Sequence, residues 1–394
     1  MKIVLLANYP TYRFIEELGL SMDSVKRVTS WNETLVDGLS NLDGAHIHVI
    51  THCTGVKRKI DITRGPLTIT YLPTPKILNT ITFFAYSAMK IRKLVKQIKP
   101  DIVHGIGTEH IWPTSALLSG FPAVVTVHGI MNNIVRKISS PIFSKKRLRS
   151  NWFAILERNV LKRARHLISI NSYVVESLGQ YTDATIHTIE NPISDIFFKA
   201  KPSQNGNKNI LFVGDTAKRK SLLTLLQAFS KLKNIGKTDN WRIIVVGPIT
   251  KCSYNEKILR YIHDHNLEEQ IVFKGFMLPQ ELVKEYEKSA FLALSSVEET
   301  APMCIAEAMS VGIPVITTNA GGVAKMISEG ETGFICNIGD IEQFSNQLYK
   351  LMSDSILRSK MGEKANKIAV KRWGKKYIAE QTFSLYHKIL KRNS

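Results

Sequence analysis

Short apolar runs alternate with amphipathic stretches along almost the whole chain. Runs of five to seven mostly apolar residues, bounded by turn residues, predict β-strands, and the stretches between them have helical spacing. In the first half these runs lie at 2–7, 46–52, 67–72, 101–106, 122–128, 166–171 and 185–191. In the second half they lie at 209–214, 241–247, 271–276, 290–295, 314–318 and 333–338. Strands that alternate with helices favour mostly parallel sheets covered on both faces, so the pattern predicts an α/β fold.

A polar stretch near the middle of the chain separates two groups of strands. Asn191-Pro192 is a turn signal, and residues 199–209 are rich in Asn, Gly, Pro and Lys, as linkers are. At 394 residues the chain suits two domains of about 190 residues each. We therefore predict one domain at 1–195, a second at 196–372 and a final segment at 373–394 with helical spacing.

Two segments of the first domain, a predicted helix and a predicted loop, could lie on its surface. Residues from about Leu78 to Ile98 have apolar positions at helical spacing and cations grouped toward the end, which fits either a helix packed on the core or one that faces a membrane. Residues Met131 to Ser150 show little periodicity and much charge, and we predict a mobile loop there. A helix then resumes at Asn151.

The chain is strongly basic, with a net charge of +20, and the excess is clustered. Residues 136–165 contain ten Lys or Arg and one acid, and residues 57–99 contain ten and one acid. The nearby aromatic residues Phe143, Trp152 and Phe153 are too few for a base-stacking platform, so we expect no nucleic-acid partner. An anionic membrane surface is the interpretation we favour, and a solvated basic face is the alternative.

The compartment can be judged from cysteine usage and the first residues. Cys53, Cys252, Cys304 and Cys336 lie far apart, without the spacing of a zinc site or a disulfide framework. No apolar run approaches the length of a membrane span, and residues 2–7 form a strand pattern without a signal-peptide profile. We expect a cytoplasmic protein, peripheral on the inner face of the membrane if its basic clusters dock there.

The stretch from Ser295 to Gly322 carries the strongest candidate chemistry. It places Glu299 in the turn after a predicted strand and Glu307 about one turn into the next predicted helix. The backbone N–H groups of a helix start favour anions. Here they would come from Thr300, Ala301, Pro302 (which lacks an N–H), Met303 and Cys304. This corner suits an anionic, hydroxyl-rich ligand such as a sugar nucleotide, although two glutamates at a helix entrance are also common as plain surface charges.

A second candidate element follows the strand at 209–214. Gly214 permits a tight turn, and Lys218, Arg219 and Lys220 lie just before a helix predicted from about Ser221. Such a loop can hold a diphosphate, although many basic loops are only solvated.

The residues of the Ser295 stretch resemble the signature of retaining glycosyltransferases of family 4. The matching positions are Glu299, Glu307, Ala308, Met309, Gly312, Pro314, Val315, Ile316, Gly321 and Gly322. The resemblance is strongest from Asn209 to Gly333 and implies the GT-B fold, in which two doubly wound Rossmann-like domains face each other across a cleft. It implies an acceptor-side first domain, a nucleotide-sugar-binding second domain and a last helix that crosses back to the first.

The resemblance also implies roles for single residues. Lys220 would contact the donor phosphates, with Gly214 and Arg219 nearby. Glu299 would bind donor-sugar hydroxyls, and Glu307 the ribose hydroxyls of the nucleotide. His128, which stands with Thr126 and Gly129 as in the family, would reach the sugar or phosphate from the opposite domain, although a histidine that ends a strand is often structural.

The implied activity is that of a retaining, hexosyltransferase-like glycosyltransferase. It would use a nucleotide-sugar donor and a glycan or lipid-linked acceptor, in polysaccharide or lipopolysaccharide synthesis at a bacterial surface. No cofactor and no metal are implied, and the chain has no Asp-x-Asp motif. Three positions differ from the family pattern: Asp215 where Arg is common, Ser221 where Gly is usual, and Lys325 where Glu is frequent. A sugar-nucleotide epimerase and a catalytically silent GT-B binding protein are the alternatives.

Overall fold

The computed structural model describes residues 1–22, 25, 29–75, 82, 84–108, 111–130, 145–203, 208–250 and 252–391. The chain forms two compact units. Unit 1 comprises Met1–Pro192 together with Lys375–Ser394, and unit 2 comprises Ile193–Gly374. Each unit is a Rossmann-like α/β domain, built on a mostly parallel sheet in unit 1 and a parallel sheet in unit 2, which confirms the predicted fold class.

Unit 1 contains an eight-stranded sheet in the order β3-β4-β2-β1-β5-β6-β7-β8. The strands are β1 (Lys2–Leu6), β2 (His46–Cys53), β3 (Ile60–Arg64), β4 (Leu67–Pro73), β5 (Ile102–Ile106), β6 (Ala123–Val127), β7 (His166–Ser169) and β8 (Thr185–Thr188). The seven predicted strands are confirmed. The prediction missed β3, an edge strand that pairs antiparallel with β4 and buries only Ile62.

Helices cover both faces of this sheet. They are α1 (Ile15–Leu18), α2 (Ser30–Ser40), α3 (Ala85–Ile98), α4 (Trp112–Leu117), α5 (Lys145–Arg163) and α6 (Ser172–Leu178). In α3 the side chains of Ile91 and Val95 are fully buried, as expected for a helix packed on the core. The predicted start of this helix, 78–81, lies outside the described residues. Within the described ranges, no helix is long and apolar enough to cross a bilayer.

The predicted loop before residue 151 is partly wrong. Residues 145–150 already belong to α5, while 131–144, including Phe143, lie outside the described residues. The first turns of α5 lack apolar periodicity, but Lys, Arg and Leu have high helix propensity and extend the helix toward its N-terminus. The helix is anchored further along by buried residues such as Phe153 and Leu161.

Unit 2 contains a six-stranded parallel sheet in the order β11-β10-β9-β12-β13-β14. The strands are β9 (Asn209–Val213), β10 (Arg242–Val246), β11 (Ile271–Gly275), β12 (Phe291–Leu294), β13 (Val315–Thr318) and β14 (Gly333–Cys336). All six correspond to predicted strands. The helices are α7 (Asp195–Lys199), α8 (Leu222–Asn234), α9 (Ser253–Asp264), α10 (Pro279–Glu287), α11 (Met303–Val311), α12 (Ile341–Ser353) and α13 (Ser355–Trp373).

The topology of unit 2 brings two loops together. Because β9 pairs in parallel with β12, the loops that leave their carboxyl ends emerge side by side. The loop after β9 also lies against the end of β10, where a Cβ atom on Gly247 would be 2.1 Å from the carbonyl oxygen of Gly214. Only glycine permits this approach, so the position of the loop after β9 depends on it.

The last helix, α14 (Lys375–Lys391), packs in unit 1. Its residues Ile378 and Tyr386 are buried in the core beneath the sheet. The hydroxyl oxygen of Tyr386 lies 2.6 Å from Nδ1 of His104, a fully buried residue of β5. Part of the predicted linker, 204–207, lies outside the described residues.

Candidate functional site

Two loops at the carboxyl edge of the unit 2 sheet form one hydrogen-bonded unit. The loop after β9 contains a short 3-10 helix, Lys218–Lys220, just before α8. The loop after β12 runs from Ser295 to the start of α11. The backbone N–H of Val297 donates to the carbonyl of Arg219 at 2.9 Å, and Ser295 Oγ donates to the carbonyl of Ser221 at 2.8 Å. The basic loop and the glutamate loop therefore hold each other in place.

Glu299 is the centre of this unit. Its Oε1 atom lies 2.7 Å from Lys220 Nζ and 2.9 Å from an Arg219 guanidinium nitrogen. Ser296 Oγ donates to the same oxygen at 2.8 Å. Burial alone would raise the pKa of Glu299, but the charges of Lys220 and Arg219 and these hydrogen bonds lower it below its usual value. Glu299 is therefore an ionised carboxylate although only 7% of its surface is exposed.

The side chains of the two cations, Lys220 and Arg219, differ in their exposure to solvent. The Lys220 side chain is 11% exposed, and it passes over Gly214, where a Cβ atom would lie 3.0 Å from Lys220 Cε. The Arg219 side chain is 47% exposed, and it also donates to the carbonyl of Glu298 at 2.9 Å. The Lys220 side chain is thus held in place between Gly214 and Glu299, whereas the more exposed Arg219 side chain can turn toward a ligand.

Glu307 lies in the second turn of α11, as predicted. It is buried, and the hydroxyl of Tyr286 donates to its Oε2 atom at 2.9 Å. Burial raises the pKa of Glu307 to about 7, while the Tyr286 hydrogen bond and the charge of Lys220 act in the opposite direction. Near neutral pH the carboxyl group is therefore balanced between its neutral and ionised forms.

The start of α11 completes the same corner. Pro302 precedes the helix without a side-chain cap, so the first N–H groups of α11 are not capped by that residue. The neighbouring residues Thr300 to Cys304 connect Glu299 to Glu307 within this turn. The structure therefore places the predicted donor-binding residues of unit 2 in one corner: Gly214, Arg219, Lys220, Glu299, Thr300, Ala301, Pro302, Met303, Cys304 and Glu307.

The three departures from the family pattern have different structural settings. Ser221 has φ 49° and ψ 42°, a left-handed conformation that glycine adopts without strain, and this accounts for the usual glycine. Asp215 accepts a hydrogen bond from the N–H of Ala217 at 3.4 Å within the loop. Lys325 is exposed at the end of the 3-10 segment Gly321–Lys325. In that segment the Gly322 N–H donates to the Glu299 carbonyl at 2.9 Å.

His128 belongs to unit 1, at the carboxyl end of β6. It is half-buried, and its ring meets Trp31 edge to face at 5.7 Å. A cavity of about 20 Å³ lies beside it, also lined by Asn32 and by His104, whose Nε2 is 2.7 Å from Thr126 Oγ1. These contacts all lie within unit 1, so the predicted role of His128 toward the donor stays a prediction.

Sequence reasoning missed three residues that support the glutamates. Tyr286 binds Glu307, Ser296 binds Glu299, and Thr318 Oγ1 donates to the carbonyl of Ser296. All three are buried. No local pattern identifies Tyr286, since it lies in a different helix from Glu307 and reads as an ordinary core aromatic. Ser296 could have been found by its position three residues before Glu299.

Metal ligands do not cluster in the part of the chain that the structure describes. No group of three or more His, Cys, Asp or Glu side chains could hold an ion there.

Two family models match the chain. The model described as Glycosyl transferases group 1 matches residues 194–368, and the model described as Glycosyltransferase Family 4 matches residues 29–195. The first match contains the whole corner around Glu299 and Glu307, and the second contains His128.

A curated relative and two solved structures are similar to the chain. N-acetyl-alpha-D-glucosaminyl L-malate synthase of Bacillus anthracis is 26% identical over 216 residues, which cover 52% of this chain and 54% of that protein. The chain spans about half the length of the curated relatives it matches.

The solved structures show the same fold over nearly the whole chain. Sucrose-phosphate synthase from Thermosynechococcus elongatus has a TM-score of 0.78 at 17% identity and covers 100% of both chains. Anabaena HepE, in complex with UDP-glucose, has a TM-score of 0.70 at 16% identity, with 98% of this chain and 100% of that chain covered. At such identities the likeness shows the fold alone.

Proposed function

Because the chain belongs to the family 4-like glycosyltransferases with the GT-B fold, we propose that it moves a sugar from a nucleotide-sugar donor to an acceptor hydroxyl. The observation that carries this proposal is the corner in unit 2 where two cations, two glutamates and a helix start converge. The HepE complex with UDP-glucose supports a donor of this chemical class.

In the proposed complex the donor diphosphate lies against the start of α11. Arg219 is half exposed and its planar guanidinium can pair with two phosphate oxygens. Lys220 supplies a second charge from beneath and keeps Glu299 ionised. Glu299 then accepts hydrogen bonds from donor-sugar hydroxyls, and Glu307 accepts them from the ribose hydroxyls.

The proposed reaction exchanges one bond at the anomeric carbon. The acceptor oxygen forms a bond to this carbon, the bond to the diphosphate oxygen breaks, and the acceptor proton passes to the departing diphosphate. The leaving group gains negative charge, which Arg219, Lys220 and the helix start are positioned to stabilise. Following the family resemblance, we propose that the configuration of the sugar is retained, that His128 assists from unit 1 and that no metal takes part.

We further propose a glycan or lipid-linked acceptor of a bacterial surface polymer, reached at an anionic membrane. The support is the exposed chemistry of α3 and α5 in unit 1, which come close where the ring of Phe84, the residue before α3, lies 5.3 Å from that of Phe153 in α5. Both helices carry exposed apolar side chains and exposed cations: Met89 (72% exposed), Lys90 and Lys93 in α3, and Leu148 (54%), Ile155 (49%), Arg158 and Lys162 in α5. Such a surface suits the negative cytoplasmic leaflet. Failure to bind anionic vesicles at low salt would count against this part.

The test is calorimetric binding of UDP-, GDP- and ADP-sugars in the presence of EDTA. We expect one nucleotide to bind selectively, and Lys220→Met to weaken it by about 100-fold, since a charge next to the phosphates is lost. Lys231→Met is the matched control, because this lysine is an exposed residue of α8 in the same unit. Equal binding by both variants would contradict the proposal. Isomerisation of the sugar without an acceptor would instead indicate an epimerase.

A further inference from the structure

The Tyr286 hydroxyl joins two parts of α11 from a neighbouring helix. Tyr286 lies near the end of α10, is fully buried, and packs edge to face on Phe197 with ring centroids 5.7 Å apart. Its hydroxyl oxygen is 2.9 Å from Glu307 Oε2 and 3.2 Å from the carbonyl oxygen of Cys304. Nothing in the proposed reaction uses this hydroxyl directly.

A hydroxyl has one proton and cannot serve both acceptors fully. When Glu307 is ionised, its carboxylate is the stronger acceptor, and the contact to Oε2 is also the shorter one. When Glu307 is neutral, the Cys304 carbonyl remains as the acceptor for the same proton. The Tyr286 hydroxyl therefore stabilises the ionised form of Glu307 more than the neutral form.

The other groups around Glu307 leave the Tyr286 hydrogen bond as the main local influence that favours ionisation of its carboxyl group. The titratable groups that face Glu307 are Tyr286 from α10, Cys304 from α11 and Lys220 from the 3-10 segment. Burial raises the pKa of the Cys304 thiol to about 12, and it raises the pKa of the Tyr286 hydroxyl well above its usual value, so both groups stay neutral. Lys220 is already paired with Glu299. Tyr286 is thus the nearest group that favours charge on Glu307.

We propose that Tyr286 is a positioning residue, which orients Glu307 and favours its ionised form as the acceptor for the ribose hydroxyls of the donor nucleotide. Its bond engages Oε2, so Oε1 stays available for a ligand hydroxyl. A neutral carboxyl group would keep a proton on one oxygen and accept more weakly. The inference rests on the proposed function, because it assumes a nucleotide in unit 2.

The experiment measures UDP binding by calorimetry between pH 6 and 9 for wild type, Tyr286→Phe, Glu307→Gln and the double variant. In wild type, binding should strengthen with a midpoint near pH 7, where Glu307 ionises. Phenylalanine keeps the ring but removes the hydroxyl, and we expect the midpoint to rise by about one pH unit. The ionised fraction at pH 7 then falls from about one half to about one tenth, a loss of about fivefold in affinity, with little change at pH 9.

Three controls separate positioning from general damage. Tyr71→Phe also removes a buried hydroxyl, which donates to the Pro10 carbonyl in unit 1, and should follow wild type. In the Glu307→Gln background, Tyr286→Phe should have no further effect. UDP lacking both ribose hydroxyls should show no difference between wild type and Tyr286→Phe, although its phosphates titrate as in UDP.

The outcomes distinguish the two proposals. If UDP binds but Tyr286→Phe keeps the wild-type midpoint, the inference is overturned and the proposed function stands. If GDP or ADP binds in place of UDP, the same titration is made with that nucleotide. If UDP, GDP and ADP all fail to bind wild type at every pH, the proposed function is overturned. In that case a carbon-13 NMR titration of the Glu307 carboxyl, assigned with Glu307→Gln, still tests whether Tyr286 sets its ionisation: the midpoint should differ between wild type and Tyr286→Phe, and equal midpoints would refute it.

Discussion

Replacing Glu299 by glutamine should destabilise unit 2 because it leaves the Lys220 ammonium buried without its anion. The two side chains are 7% and 11% exposed, and the atoms of the pair are 2.7 Å apart. Loss of one partner from a buried pair costs about 3–5 kcal/mol. We expect about 3 kcal/mol, since the glutamine oxygen still accepts a hydrogen bond and Arg219 can turn to solvent. For a unit of this size that lowers the unfolding midpoint by roughly 6–12 °C.

A double-mutant cycle isolates the pair. Lys220→Met should cost about 2 kcal/mol, because Glu299 keeps Arg219 and Ser296 as partners. The double variant removes both charges, and its loss should be smaller than the sum of the single losses by at least about 2 kcal/mol. Scanning calorimetry of the whole chain measures these losses of stability from the one unfolding transition that the substitutions shift. Additive losses would refute the account of Glu299 and Lys220 as one buried pair.

Three further outcomes follow from the same unit. Ser221→Gly should raise the free energy of unfolding by about 0.5–1 kcal/mol by relieving the left-handed strain, whereas Ser221→Ala should give no gain. The folded-state pKa of Glu299 lies below its usual 4.5, so its stabilisation is present above that pH and is lost as pH falls through the folded pKa. As the pH falls through the folded-state pKa of Glu299, the free energy of unfolding should therefore decrease more for wild type than for Glu299→Gln. Gly247→Ala should cost about 3 kcal/mol in denaturant unfolding because its Cβ meets the Gly214 carbonyl, whereas Gly236→Ala, at φ +67° but with open space around the Cβ, should show only the smaller cost of a left-handed backbone, about 1 kcal/mol.

Most of the parallel strands were predictable because they are largely buried. In β10, for example, Ile243 to Val246 are all buried and read as an unbroken apolar run after the exposed Arg242. The edge strand β3 (IDITR) buries one residue and carries charges at its exposed positions, so its sequence resembles a loop. The start of α5 was missed for a related reason, since residues 145–150 are charged and show no apolar face from which a helix could be inferred.

The candidate site was predictable only where its chemistry is local in the chain. Glu299, Glu307 and the start of α11 follow one another within a strand-to-helix turn. The pairing of Lys220 with Glu299 spans 79 positions and exists because β9 and β12 are neighbours. The contact between Tyr286 and Glu307 depends likewise on how α10 packs against α11. Sequence patterns record neither the packing nor the left-handed conformation of Ser221.

The central claim is that this corner transfers a sugar from a nucleotide donor. It is tested most directly by NMR of the products formed from the donor that binds, in EDTA, with water or an added glycan as acceptor. The account predicts release of the nucleoside diphosphate together with a sugar that keeps the donor's anomeric configuration. The reaction should be lost in folded Glu299→Gln and Lys220→Met and retained in Lys231→Met. No turnover of any donor, or equal turnover in all four proteins, would contradict it.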